Sequence, residues 1–104
     1  MNKNLDRELL ADVAERLINH LQSRTDVQNI DLMNLSGFCR NCLSKWYLAA
    51  AEKRNQPIDY DMSRELIYGM PYDEWKKKYQ KEATKEQLRA VSYTHLTLPT
   101  KRIV

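Results

Sequence analysis

The sequence predicts an all-α fold, a small compact bundle of three main helices followed by a short C-terminal one. Three observations carry this. Apolar residues recur at spacings of three and four over long stretches. Residue types that start and stop helices fall at the ends of those stretches. The chain has only two glycines and three prolines, too few turn residues for a sandwich or barrel.

Leu5 to Gln22 reads as the first helix. Leu10, Val13, Leu17 and Leu21 form one apolar face, widened by Leu9 and Ile18, and are expected to be buried. Ser23 to Asp31 is polar. Thr25 with Gln28 fits a capping box, and Asn29 and Asp31 are alternative caps. A second helix is expected from about Asp31 to Lys53. Its stripe of Leu32, Leu35, Cys39, Cys42, Trp46 and Ala49 makes it the central helix. Gly37 inside it costs about 1 kcal/mol relative to Ala and so marks a bend or a close packing. Arg54 to Ile58 is a connector containing Pro57. Asp59 or Asp61 caps a third helix that runs to Tyr68, and Gly69 stops it. Pro71 suits the first turn of a helix reaching Tyr79 or Lys81, and Thr84 with Gln87 caps a last helical turn.

At 104 residues the chain has room for one domain and one modest core. No apolar run approaches the roughly 18 residues a membrane span needs, and residues 1–7 carry no signal-peptide pattern. The expected compartment is the cytoplasm, where two cysteines stand as thiols or metal ligands. The formal charge of +3 would suggest an anionic partner. The segment from Val91 to Thr100, however, resembles the in-frame translation of a transposase-type sequencing-library adapter. The expected organisation is therefore a single helical domain over residues 1–90 and a non-native, disordered tail over 91–104. Without Lys101 and Arg102 the balance is 15 basic against 14 acidic residues, a net of +1 that says nothing about partners.

Cys39-Arg40-Asn41-Cys42 is the one spacing that suggests chemistry. Positions three apart on a helix share a face, so both sulfurs could meet one ion or each other. A metal reading, with zinc or iron, recruits His20 as a third ligand to Cys39 and Cys42 and needs a carboxylate as a fourth. A redox reading needs a lowered thiol pKa, to which Arg40 and Lys45 could contribute. Cys39 is expected well inside a helix, however, where the dipole effect is small. The third reading is core packing beside Leu35 and Trp46. His20, at the edge of the first helix's apolar face, also suits a hydrogen-bonded structural histidine. Asp26, Asn29 and Asp31 read as caps before acid–base groups. Lys76, Lys77, Lys78 and Lys81 are offset by acids at a spacing of four, including Glu74 with Lys78, which is the pattern of a solvated helix face. Nucleic acid is accordingly not an expected partner. Tyr68, Tyr72, Trp75 and Tyr79 read as one packed side. No phosphate-binding glycine loop or catalytic motif occurs in the sequence.

The block from Arg24 to Tyr47, RTDVQNIDLMNLSGFCRNCLSKWY, resembles the signature of the bacterial family numbered 1244 among domains of unknown function. Tyr68-Gly-Met-Pro-Tyr-Asp-Glu-Trp75 and the run from Gln80 to Thr84 resemble its second block. The resemblance runs from about Leu17 to Ala90. It implies a small helical fold and brings no assigned activity or residue role. The functional expectation is a non-enzymatic interaction module with core cysteines, engaging a protein partner or a second copy. The alternative is a metal-binding or thiol-redox protein that uses Cys39 and Cys42. Whether any reaction is catalysed stays open at the level of sequence.

Overall fold

The computed structural model describes residues 3–90. They form α1 (Lys3–Ser23), α2 (Asn29–Ser36), α3 (Arg40–Lys53), α4 (Tyr60–Tyr68) and α5 (Tyr72–Tyr79). A further helical turn spans residues 85–90, and the described residues contain no strand. The all-α expectation holds. Residues 91–104, where the tail was expected, lie outside the described residues.

The expected helix from Asp31 to Lys53 is two helices. Gly37 ends α2 with φ +81°, and its N–H bonds the Met33 carbonyl at 2.9 Å. A Cβ added at Gly37 would meet nothing within 4 Å, so the residue is needed for its left-handed backbone and not for close packing. The break turns the stripe drawn for a continuous helix. Leu35 is 86% exposed and Trp46 58% exposed, while Cys39 and Cys42 pack against Met33, Leu32 and Phe38.

The start of α2 is also shifted. Residues 24–27 form a turn, with the Val27 N–H on the Arg24 carbonyl. Gln28 therefore stands at the N-cap in place of Thr25, and Asp31 accepts the Gln28 N–H at 3.1 Å. The Gln28 amide group reaches the other end of the chain. It donates to the Tyr79 carbonyl at 2.8 Å and accepts the Lys81 N–H at 2.9 Å, which pins the end of α5.

α3 and α4 make the most extensive helix–helix contact among the described residues. Small side chains meet at their crossing. Ser44 and Ser63 are fully buried, Ser63 donates to the Ser44 carbonyl, and Ser44 donates to the Arg40 carbonyl at 2.9 Å. Asp59 caps α4 by accepting the Met62 N–H at 2.8 Å, as the sequence suggests. Gly69 stops it with φ +76°. Pro71 precedes the first helical residue of α5 instead of lying within its first turn.

The main core lies where α4 and α5 meet. Ile67, Tyr68 and Trp75 are each 2% exposed, and Ile18, Leu43, Met70, Tyr72 and Tyr79 pack around them. The rings of Tyr68 and Trp75 meet edge-on at 5.1 Å, so the aromatic series is a packed side as expected. Truncating a side chain buried like Trp75 costs about 3–5 kcal/mol. The Thr84–Gln87 capping box forms in both directions, at 2.8 and 3.1 Å. Gln87 also ties the last turn to α2 through Asp31 at 2.7 Å.

α1 departs most from expectation. Of its predicted inner face only Leu21 is buried. Leu10 and Val13 are each 66% exposed, and Leu9 and Leu17 are exposed as well. Among the described residues, the contacts that anchor the helix lie at its C-terminal end. Ile18 packs on the main core, and the Gln22 side chain donates to the carbonyls of Leu66 and Ile67 at the end of α4. The preceding turns of α1 carry an apolar stripe that the described residues do not cover.

Candidate functional site

The Gly37 break places the cysteine block at the start of α3. Cys39 is the extended N-cap residue and Cys42 lies in the first turn, so the expectation that Cys39 sits well inside a helix is overturned. The two sulfurs are 3.7 Å apart. Both residues are buried, and burial pushes the Cys42 thiol above its ordinary range, the opposite of an activated nucleophile.

Arg40 and Asn41 enter a polar network. Arg40 is 1% exposed. Its guanidinium donates to the carbonyls of Leu21 at 3.3 Å, Arg24 at 2.8 Å and Val27 at 2.8 Å, and to Asn29 Oδ1 at 3.1 Å. The three carbonyls belong to the C-terminal end of α1 and the turn after it, where carbonyls lack helical partners and the helix dipole is negative, and Asn29 is the first residue of α2. Asn29 donates to the Tyr68 hydroxyl at 2.9 Å, and that hydroxyl donates to Asn41 Oδ1 at 2.7 Å. Burial lowers the Arg40 pKa and raises that of Tyr68, so the phenol stays neutral and free to donate. Sequence reasoning weighed Arg40 only as a cation near the thiols. It missed the role of Arg40, Asn29 and Gln28 in joining three segments, because their partners, backbone groups and the Tyr68 hydroxyl, are distant in the chain.

A groove of 360 Å3 runs beside Cys39, lined by Asn29, Met33, Asn41, Tyr72 and Trp75 and by the chain from Gln80 to Ala83. His20 lies elsewhere, on an exposed stretch of α1 with Asp12, Glu15, Arg16 and Asn19. The structure therefore brings Cys39 and Cys42 together but does not bring His20 to them. Among the described residues no group of three or more His, Cys, Asp or Glu side chains is placed to hold a metal ion. Asp26 pairs with Arg24 at 3.0 Å, and Asp31 serves the start of α2 as expected. Glu74 and Lys78 form the expected surface pair at 3.0 Å.

The cysteine block, the network on Asn29 and Tyr68, and the Trp75 core all fall within one match to a known family model. That model is described as Protein of unknown function (DUF1244), and it matches residues 27–93. The chain belongs to the DUF1244 family. The match starts ten residues after Leu17 and ends three residues after Ala90, the limits of the resemblance read from the sequence. No curated protein matches the chain. Within the DUF1244 match lie every residue of the Cys39–Cys42 block and all of α2 to α5, whereas α1 lies outside it. No helix among the described residues is long and apolar enough to cross a membrane.

Proposed function

We propose that this DUF1244 chain is a non-enzymatic protein-interaction module of the cytoplasm, with Cys39 and Cys42 as structural thiols. The observation that carries the reading is the apolar face of α1 that the described residues leave uncovered, with Leu9, Leu10, Val13 and Leu17 all exposed on a helix whose Ile18 end packs on the core. A monomeric soluble domain rarely leaves such a contiguous stripe uncovered, and apolar stripes of this kind mark interaction sites. Two further observations support it. The cysteine block serves the fold, because Arg40 and Asn41 tie α1, α2 and α4 together while the sulfurs face Met33 and Phe38. Two cysteines that stand as thiols and not as a disulfide also suit a reducing compartment.

Photo-crosslinking in cells tests the reading. A benzoylphenylalanine in place of Val13 should give discrete protein adducts, and one in place of the exposed Glu8, on the opposite side of α1, should not. Equal or absent adducts from the two positions would overturn the module reading. A second reading rests on the 3.7 Å between the sulfurs at a helix start, which suits a dithiol able to close to a disulfide. Rapid reaction of both thiols in the folded protein would favour it.

A further inference from the structure

We infer that the occupant of the α1 face is α1 of a second copy of the chain, running antiparallel and centred on Val13. The inference rests on the module reading above and goes on to name the partner. Asp6, Leu10, Val13, Leu17 and His20 follow one another at spacings of four, three, four and three, the seam of a two-helix coiled coil. Leu10, Val13, Leu17 and His20 on that seam are exposed, and Asp6 is partly so.

The seam is complementary to itself in one orientation. An antiparallel copy about Val13 sets Leu10 against Leu17 of the second copy, Val13 against Val13, and Leu17 against Leu10. At each end Asp6 then faces His20 of the other copy, and the carboxylate can accept an imidazole N–H. A parallel copy would set Asp6 against Asp6 and leave both carboxylates without a donor. Such a two-fold contact is isologous, so one apolar stripe covers both copies and closes the assembly at two. Leu9 and Arg16 flank the seam and meet across it, the Arg16 stem lying over Leu9 of the second copy. Together the five seam positions span about 21 Å of helix.

Sedimentation velocity of the full chain reads the proposal directly, with the mass rising from monomer to dimer as concentration increases. Val13→Glu places two carboxylates on the axis and should hold the chain monomeric across the same range. Its circular dichroism should be unchanged, and its melting should match that of the parent at concentrations where the parent is monomeric, because Val13 is exposed in the single chain. Cysteine cross-linking reads the orientation. Leu10→Cys alone should not link two copies, whereas Leu10→Cys with Leu17→Cys should link them through two bonds. A chain that is monomeric at every concentration, a Val13→Glu variant that still dimerises, or efficient linking by Leu10→Cys alone would each overturn the inference. A monomeric chain that still gives Val13-dependent adducts to a different protein in cells would defeat the self-pairing and leave the module reading standing.

Discussion

The Arg40 guanidinium carbon lies over the Trp75 ring, 5.0 Å from its centroid, while the guanidinium N–H groups bind backbone carbonyls. One fully buried charge thus joins the tail of α1 to the aromatic core through an electrostatic contact with the ring face. It does so without a carboxylate among its bonded partners. Backbone carbonyls and the ring quadrupole replace part of the hydration that the charge loses, so the position depends on the full set of acceptors being present.

Replacing Arg40 should accordingly be among the most damaging single changes. Arg40→Met keeps much of the volume but removes the guanidinium donors from the carbonyls of Leu21, Arg24 and Val27, of which the first two keep only a turn N–H, and the expected loss is about 3 kcal/mol. Arg40→Lys should recover little, because an ammonium cannot supply four donors in the guanidinium plane. Urea unfolding of the two variants beside the parent checks this. A midpoint unchanged by Arg40→Met would show that the network contributes nothing net.

How far the site was legible in the sequence depends on where each residue's partners lie. The caps Asp59, Gly69 and Thr84 were legible because their partners sit within four residues. The aromatic side of α5 was legible from helical spacing. Gly37 was recognised as a disturbance, but its strength was not, since a single glycine can either bend a helix or end it. Once it ends α2, Cys39 moves from the interior of a helix to a helix start, and Leu35 and Trp46 move outward. Arg40 could not be read as a buried joint, because carbonyl acceptors have no sequence signature. The face of α1 followed the helical period correctly. Periodicity gives an apolar face but not whether the same chain covers it.

The cysteine pair should behave as two protected thiols. Native protein titrated with a thiol reagent near neutral pH should react slowly at both positions, and unfolded protein should react rapidly at both. Purified protein prepared without chelator should hold far less than one metal ion per chain. Cys42→Ser should lower stability by about 1–3 kcal/mol by burying a hydroxyl among Met33, Leu32 and Phe38. Near-stoichiometric zinc or iron that disappears in Cys42→Ser would instead identify a metal site and reopen the search for its other ligands.

Alkaline pH should weaken the fold through the same region. The Cys42 thiol and the Tyr68 phenol are both pushed up by burial. In the window above their ordinary values, near 9 and 10, the folded chain keeps protons that the unfolded chain releases. The stability they contribute is fully present below those values and declines as pH rises through them. Cys42→Ala should flatten the lower part of the decline and Tyr68→Phe the upper part. Melting temperatures between pH 7 and pH 11, compared among the three proteins, provide the measurement. Parallel curves for all three would exclude both groups as the cause.

The two glycines separate backbone strain from crowding. Gly37 and Gly69 share the left-handed conformation, with φ of +81° and +76°. A Cβ at Gly37 would stand in open space. A Cβ at Gly69 would lie 2.9 Å from Cδ of Gln22, the side chain that donates to the last carbonyls of α4. Gly37→Ala should therefore cost only the conformational penalty, about 1 kcal/mol. Gly69→Ala should cost that much again or more, since the Gln22 amide must move and one of its two bonds must lengthen or break. Gln22→Ala should remove the difference, because it clears the space and deletes the bonds at once. The double variant Gln22→Ala with Gly69→Ala, set against each single change, isolates the crowding between the two residues. Equal costs at Gly37 and Gly69 in the parent background would show that the end of α4 yields without resistance and that Gln22 does not fix the angle between α1 and α4.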